Sequence, residues 1–480
     1  MDAPVNPLAP DVLSRDDLRR ALDEHDFAAA FALIKKWGGL SQNRIASACD
    51  LTPGKVSNII SGRHQITSIT VIRRIADGLG IPGDLLGLAP RPWEAQARHH
   101  PSPPPAEDRQ PSEEVPWRPD ATVGLADHLT RSDLVMNRRA AARALSAAAI
   151  TGAALLDTLE GWLQPASAER RPRRQGRLGT LDLDDLETTA RTFRAWDHQF
   201  GGGLRRKAVL GQLNEVASAL DEHQSPVIEQ RLYGVMAQLA GTAATMAWDS
   251  GHQRRAQDYY LVALRSAHAA SDAAFGANVL AGMARQVLYA GRPHDALELI
   301  RLAQDGVRTT AGPRLRAMLH TREAWAYAAM GRHAAFRRAS GQAGEALAGA
   351  GPGEPYWIDY FDSAELAGVT GGRLLDLARQ DPRTHAPTAA QEIRTALDLR
   401  GPEASRSHAL DWIGLAECGF LAGDITEAVE STHRAVGAAA RTQSGRVRKQ
   451  LAQLYPYTVG RDAPGPLREA RDHIRELLAT

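Results

Sequence analysis

The chain has 480 residues and a 43% hydrophobic fraction, enough for two or three domains with their own cores. Its net charge of +1 excludes an overall polycation, so a nucleic-acid partner must be met by a local basic surface. The two cysteines, Cys49 and Cys418, exclude a disulfide framework and four-cysteine metal sites and fit a reducing compartment.

Arginine outnumbers lysine 52 to 5 and alanine is abundant, which reads as the codon bias of a high-GC genome. The first residues show no basic stretch followed by an apolar one, so no secretory signal is expected and the predicted location is the cytoplasm. Residues 14–88 predict a bundle of five short helices. Phe27 to Trp37 forms one, with Phe27, Phe31 and Ile34 on a single stripe. Ser41 is placed to cap a helix from Gln42 to Cys49 that turns Ile45, Ala46 and Cys49 inward. Asp50 falls where the chain must turn sharply, a place for a left-handed backbone. Thr52 then caps a second helix with Pro53 in its first turn, where a missing N–H costs nothing. Val56 and Ile59 face inward, and Gly62 ends that helix. Ser68 to Leu79 and Pro82 to Leu88 close the bundle.

Two crossed helices with this spacing project Thr52, Gly54, Lys55, Ser57 and Asn58 outward, short hydrogen-bonding groups plus one cation, suited to a major groove. Gln42, Asn43, Arg44, Pro53, Ser61 and Arg63 complete the candidate DNA surface. From Phe27 to Leu88 there are seven Lys or Arg against three acids, a net +4 in a chain whose total is only +1. The run SQNRIA followed by LTPGKVSNIISG resembles the phage-repressor-like (Xre-type) helix-turn-helix proteins over roughly residues 27–88. The resemblance implies a phosphate contact from Gln42 and base reading by Thr52 to Asn58. Asp50 departs from it, standing where that family usually has a turn glycine.

Residues 89–125 read as a linker, with nine prolines between 89 and 121. Residues 126–180 read as connecting helices and a basic hinge. Within them, Asn137 to Leu163 pairs arginines with a small-residue apolar run; it is read as a helix packed into the second domain, with no membrane contact expected. The hinge carries Arg170, Arg171, Arg173, Arg174 and Arg177.

From residue 181 to 480 helical periodicity dominates, so the whole chain is expected to be all-α. One spacing recurs there. Ala244, Gly251, Ala256 and Ala263 are repeated as Ala284, Gly291, Ala296 and Ala303, then as Ala324, Gly331, Phe336 and Ala343. Ala364 and Gly371 begin a fourth copy that decays at Asp376, and Ala416, Gly423, Ala428 and Ala435 give a fifth. Small residues at these offsets let paired antiparallel helices pack closely, with the glycine in the turn. The array resembles tetratricopeptide repeats with a period stretched to 40. In that register Gln238, Thr245, Trp248, Asn278, Arg285, Thr321, Trp325, Ile413 and Glu417 point into a concave groove. Asn278 and Arg285 are placed to clamp a backbone and a carboxylate, and Trp248 and Trp325 to stack on an apolar ligand; each tryptophan also fits a simple packing role. Trp196, Trp357 and Trp412 are assigned to the core.

The arrangement as a whole, with LGLAPRPWE at Leu86 to Glu94 and EAWAYAAMGR at Glu323 to Arg332, resembles regulators of high-GC bacteria that join an Xre-type domain to a tetratricopeptide-like one. The resemblance implies control of development or secondary metabolism, often beside a small partner protein. No phosphate-cradling loop, zinc-helix spacing or nucleophile elbow is found, so no catalytic residue, metal site or cofactor is expected. Gly54-Lys55 lacks the upstream glycine, and His99-His100 falls in the linker. The expected partners are an operator in double-stranded DNA, a second copy of the chain, and a peptide, small-molecule or small-protein effector. An antitoxin-like adaptor, with DNA contact secondary to partner binding, is the alternative.

Overall fold

The computed structural model describes residues 8–66, 68–88, 91, 93–94, 116–134, 148–165, 178–200, 206–402, 404–442, 444–459 and 465–479. Among these residues every regular element is a helix.

The N-terminal bundle holds α1 (Pro10–Leu13), α2 (Asp16–Asp23), α3 (Phe27–Trp37), α4 (Gln42–Ala48), α5 (Pro53–Ile60) and α6 (Ile69–Leu79), closed by a 3-10 turn at Gly83–Leu86. Its core is a cluster of its own, in which Phe31, Ile34, Ile45, Val56, Ile72, Ile75 and Leu79 are fully buried. Helix α4 stops one residue earlier than the sequence suggested, with Cys49 as its C-cap. Gly78 of α6 packs tightly against α4, where a Cβ would collide with the Ala48 carbonyl oxygen.

After the bundle the chain folds back on it. Arg91 forms a two-pronged ion pair with Asp77, at 2.8 and 2.9 Å, and Trp93 Nε1 donates to the same carboxylate at 3.1 Å. Glu94 accepts from the Gly83 and Arg91 amides at 2.7 and 2.8 Å. Arg91 and Trp93, read above as part of a resemblance, therefore clasp α6, and Glu94 holds the turn at Gly83. The range read as linker also ends early: α7 (Pro119–Leu134) begins at Pro119. The basic hinge from Arg170 to Arg177 and most of the arginine-rich start of the Ala-rich segment lie outside the described residues. The rest of that segment forms the short α8 (Ala153–Asp157) and a 3-10 turn at Glu160–Leu163. Leu155, Leu159 and Trp162 are buried in the core of the second domain. Trp162 fits because Gly276 and Gly306 present no side chain to it.

The second domain begins with α9 (Thr180–Phe200) and α10 (Arg206–Leu220). Five helix hairpins follow: α11 (Pro226–Asp249) with α12 (Gln253–Ala269), α13 (Ala273–Tyr289) with α14 (Pro293–Gly306), α15 (Pro313–Ala329) with α16 (His333–Ala348), α17 (Ser363–Ala378) with α18 (Pro382–Leu399), and α19 (Ser405–Ala422) with α20 (Ile425–Ala439). α21 (Gly445–Leu454) and α22 (Gly465–Ala479) end the chain described. The first helix of each hairpin also packs on the first helix of the next, which makes a solenoid-like stack.

The repeat spacing has a direct structural meaning. Gly251, Gly291, Gly331 and Gly423 all sit between hairpin helices at φ of 85, 72, 71 and 81°, a region open to glycine at little cost. The alanines at the flanking offsets are 0–3% exposed. The fourth copy differs. Gly371 lies inside α17, not in a turn, and α17 runs on past Asp376 to Ala378. Gly371 instead permits close packing on α18: a Cβ there would come within 2.6 Å of Ile393 Cγ1. No helix among the described residues is long and apolar enough to cross a membrane.

Candidate nucleic-acid interface and repeat groove

The outer face of α5 is built by its cap. Thr52 Oγ1 accepts from the Lys55 amide at 3.2 Å, and Ser41 Oγ does the same for Arg44 at 3.3 Å on α4. These bonds satisfy free amides at the first turns and fix where each helix starts. Between the two helices Asp50 has φ 49°, and the Leu51 amide bonds back to the Ala46 carbonyl at 2.8 Å. An aspartate is tolerated here because Arg74 of α6 holds its carboxylate at 2.6 Å and its carbonyl at 3.1 Å. That pair is exposed, so it positions the turn more than it stabilises it. Cys49 beside it is a packing residue, its thiol pushed up by burial to about 12.

Val56 and Ile59 anchor α5 in the core. On the opposite side Thr52, Pro53, Gly54, Ser57, Asn58, Ser61 and Arg63 are exposed, and Lys55 is half-buried. Open space surrounds the Gly54 Cα, so another backbone or a phosphate can approach there. At the start of α4, Asn43 and Arg44 are exposed and Gln42 is half-buried. Of the sequence-predicted DNA residues, Thr52 to Asn58 stand on the exposed side of α5, Ser61 and Arg63 at its C-terminal end, and Gln42 to Arg44 at the start of α4. The partial positive charge of a helix N-terminus adds to that surface.

The reverse side of the bundle is clamped to the second domain, which sequence reasoning did not anticipate. The Asp305 carboxylate, at the end of α14, accepts from Ser68 Oγ and from the Ile69 amide, both at 3.0 Å. It caps α6 across a gap of more than two hundred residues. Arg73 donates to Glu298 through Nε at 3.1 Å and through a second guanidinium nitrogen. Arg332 pairs with Asp23 at 2.8 Å and donates to the Asp84 carbonyl at 2.7 Å, while Arg338 donates to the Glu24 carbonyl at 2.7 Å. His25 Nε2 lies 2.7 Å from the Leu86 carbonyl, so this nitrogen carries the hydrogen and Nδ1 accepts from Arg301 and from Tyr327, the latter at 3.2 Å. Burial, followed by the Arg301, Arg332 and Arg338 guanidiniums, holds His25 well below its ordinary pKa, in the neutral form this bonding requires. Beside the clamp a cavity of about 720 Å³ opens between the domains, lined by His25, Phe27, Ile66, Arg301, Leu319 and Tyr327 among others.

The residues predicted for the groove separate into groups. Thr245, Asn278 and Arg285 meet at a small cavity of about 70 Å³. Trp325, Ile413 and Glu417 line a larger one of about 400 Å³, which Arg285 also borders. Trp248 is 5% exposed and lines neither; the Arg285 and Arg446 guanidiniums stand 4.8 and 4.6 Å from its ring centre. Trp325 carries Arg373 over its ring at 3.7 Å. Gln238 is spent on Tyr356. Thr321 is 3% exposed and bonds to its own helix at Met318, so it does not present its hydroxyl to either cavity. Glu417 holds Arg379 in a two-pronged ion pair at 2.7 and 2.9 Å and accepts from Tyr457 at 3.1 Å. Trp357 is buried in the core, whereas Trp196 and Trp412 are half-buried. Sequence reasoning missed Arg322 and Arg406. Both are buried arginines with no local pattern to mark them.

Two capped helices crossed over a one-residue left-handed turn, the second with a polar outer face, define a helix-turn-helix. In agreement, residues 26–88 match the family described as a helix-turn-helix domain. No curated protein and no solved structure matches the chain.

Proposed function

We propose that this protein is a sequence-specific DNA-binding transcription regulator of the Xre type, with a tetratricopeptide-like domain that receives an effector and joins two copies of the chain. The observation that carries this reading is the asymmetry of the N-terminal bundle. Its reverse side is occupied by Asp305, Glu298 and Arg332, while the α5 face from Thr52 to Arg63 stays exposed with the whole chain folded. Polar side chains on the N-terminal half of such a helix reach base edges in the major groove, and Lys or Arg beside them meet phosphates. In a symmetric dimer two α5 helices would read half-sites about one turn, roughly 34 Å, apart. An effector in the repeat domain acts by changing the pose of the two bundles, through the clamp that joins each bundle to α14, α15 and α16.

The test is selection of bound duplexes from a random pool by the full-length protein. The reading expects an enriched motif with two related halves, and light scattering that gives a dimer mass. Asn58→Ala should lose the motif while keeping that mass. Enrichment of no sequence, or an unchanged motif with Asn58→Ala, would refute the face assignment.

A further inference from the structure

The inner wall of the repeat stack holds more positive charge than its own carboxylates neutralise. Arg194, Arg285, Arg322 and Arg406 converge on the 70 Å³ cavity. Arg322 is 4% exposed and has no hydrogen-bond or ion-pair partner among the described residues. Arg285 stacks on Trp248, and its Nε is buried without a hydrogen bond. Arg194 donates to the Trp357 carbonyl at 2.9 Å and Arg406 to the Asp197 carbonyl at 3.3 Å. The other nearby carboxylates are already engaged: Glu365 and Asp411 hold Arg400 at 2.9 and 2.5 Å, and Asp249 holds Arg446 at 2.8 Å and Arg406 at 3.5 Å.

One carboxylate, Asp197, faces the cavity. It is 3% exposed, its Oδ1 has no hydrogen bond, and burial pushes its pKa up to about 6. The Tyr260 hydroxyl, also at the cavity, is buried and unpaired. His198 is held well below its ordinary value by burial and by the arginines around it. Guanidiniums removed from water without a counter-charge are costly, and unpaired buried donors are rare in folded proteins.

We propose that this cavity binds the phosphate group of a small phosphate monoester, whose body lies in the adjoining 400 Å³ groove. The two spaces adjoin, since Arg285 and Arg322 line both. About 10–15 Å³ of such space holds one water, so 70 Å³ admits a tetrahedral oxyanion. With Arg406 paired to Asp249, three guanidiniums, Arg194, Arg285 and Arg322, stand against the one carboxylate of Asp197, which favours a dianion over a monoanion, and the planar fork of arginine matches phosphate oxygens. The groove volume falls within the range of small-molecule sites. This names the chemistry of the effector and rests on the effector half of the function proposed above.

The test is calorimetric titration of the full-length protein, without DNA, by phenyl phosphate, inorganic phosphate and benzoate at fixed ionic strength and pH 7.5. Phenyl phosphate is expected to bind once per chain and at least tenfold more tightly than benzoate, with inorganic phosphate between them. Arg322→Met is expected to weaken phenyl phosphate at least tenfold and to raise the melting temperature of the ligand-free protein by a few degrees, because it removes an unpaired buried cation. A merely structural arginine would give the opposite shift. Thr245→Leu fills the cavity and leaves every guanidinium in place, since the Thr245 hydroxyl bonds only within its own helix, to Gly241 at 3.2 Å. It should also abolish binding, and it decides the matter if Arg322→Met fails to fold. Absence of saturable phenyl phosphate binding, benzoate binding as tightly, or undiminished binding by either variant overturns the proposal. None of these results bears on selection of duplexes by α5, so the two readings fail separately.

Discussion

The outer face of α5 and the inner wall of the repeat stack are both polar, yet they solve opposite problems. On α5 the polar groups stand in water, so leaving them unpaired costs nothing until a partner displaces that water. On the repeat wall Arg322 is already out of water, and its missing partner is felt by the empty protein. The difference teaches what each surface can recognise. An exposed face with short side chains suits a large partner that brings its own ordered groups, as a duplex does. A buried cationic pocket suits one small anion that replaces the lost solvation.

Changes that remove the α5 face altogether should have the largest effect. Gly78→Leu would drive a side chain into the Ala48 carbonyl and so split α4 from α6. Overpacking of this kind costs about 1–3 kcal/mol, and more where the group struck is backbone that cannot move aside. Amide exchange across residues 27–79 of the full chain should rise sharply while the repeat domain keeps its protection. Next comes Asn58→Ala, expected to cost about 1–3 kcal/mol of discrimination against the wrong base. Its measure is competition between a selected duplex and a scrambled one.

The clamp sharpens the comparison from the other side. Asp305→Ala removes the cap on Ser68 and Ile69, worth about 1–2 kcal/mol, and should raise amide exchange at the start of α6 without touching Val56 or Ile59. Docking should also depend on pH through His25. Its pKa lies below the ordinary value of about 6.5 when docked, so docking is complete above that pH. It weakens as pH falls from about 6.5 towards the lowered value, because the undocked histidine binds a proton that the docked one resists. Amide exchange at residues 83–87, corrected for intrinsic rates, should therefore rise between pH 7.5 and 5.5, and His25→Gln should flatten the response. The smallest effect is Ser41→Ala. It loses one exposed cap of about 1 kcal/mol and leaves the duplex specificity unchanged.

Much of the N-terminal bundle was legible because its determinants are local. Ser41, Thr52 and Pro53 act within three residues of where they stand, and the left-handed turn at Asp50 follows from the spacing of Cys49 and Leu51. The Arg74 contact that makes an aspartate acceptable there was not legible, since it comes from another helix. The repeat glycines were read correctly where they end a helix; Gly371 was misplaced because a glycine that permits a close helix crossing looks the same in sequence as one that permits a turn. The clamp left no trace. Asp305 and Ile69 are far apart in the chain, and an aspartate capping a distant helix has no periodicity to betray it. The same holds for Arg322, whose lack of a partner is a property of the folded wall alone.

The most direct measurement is fluorescence anisotropy of a duplex selected by the full-length protein, titrated beside a scrambled duplex at one salt concentration with wild type and Asn58→Ala. The account predicts that wild type holds the selected duplex about a thousandfold more tightly, and that Asn58→Ala lowers this ratio by about five- to 150-fold while both proteins bind the scrambled duplex alike. Equal affinity of wild type for the two duplexes, or an intact ratio in Asn58→Ala, would contradict it.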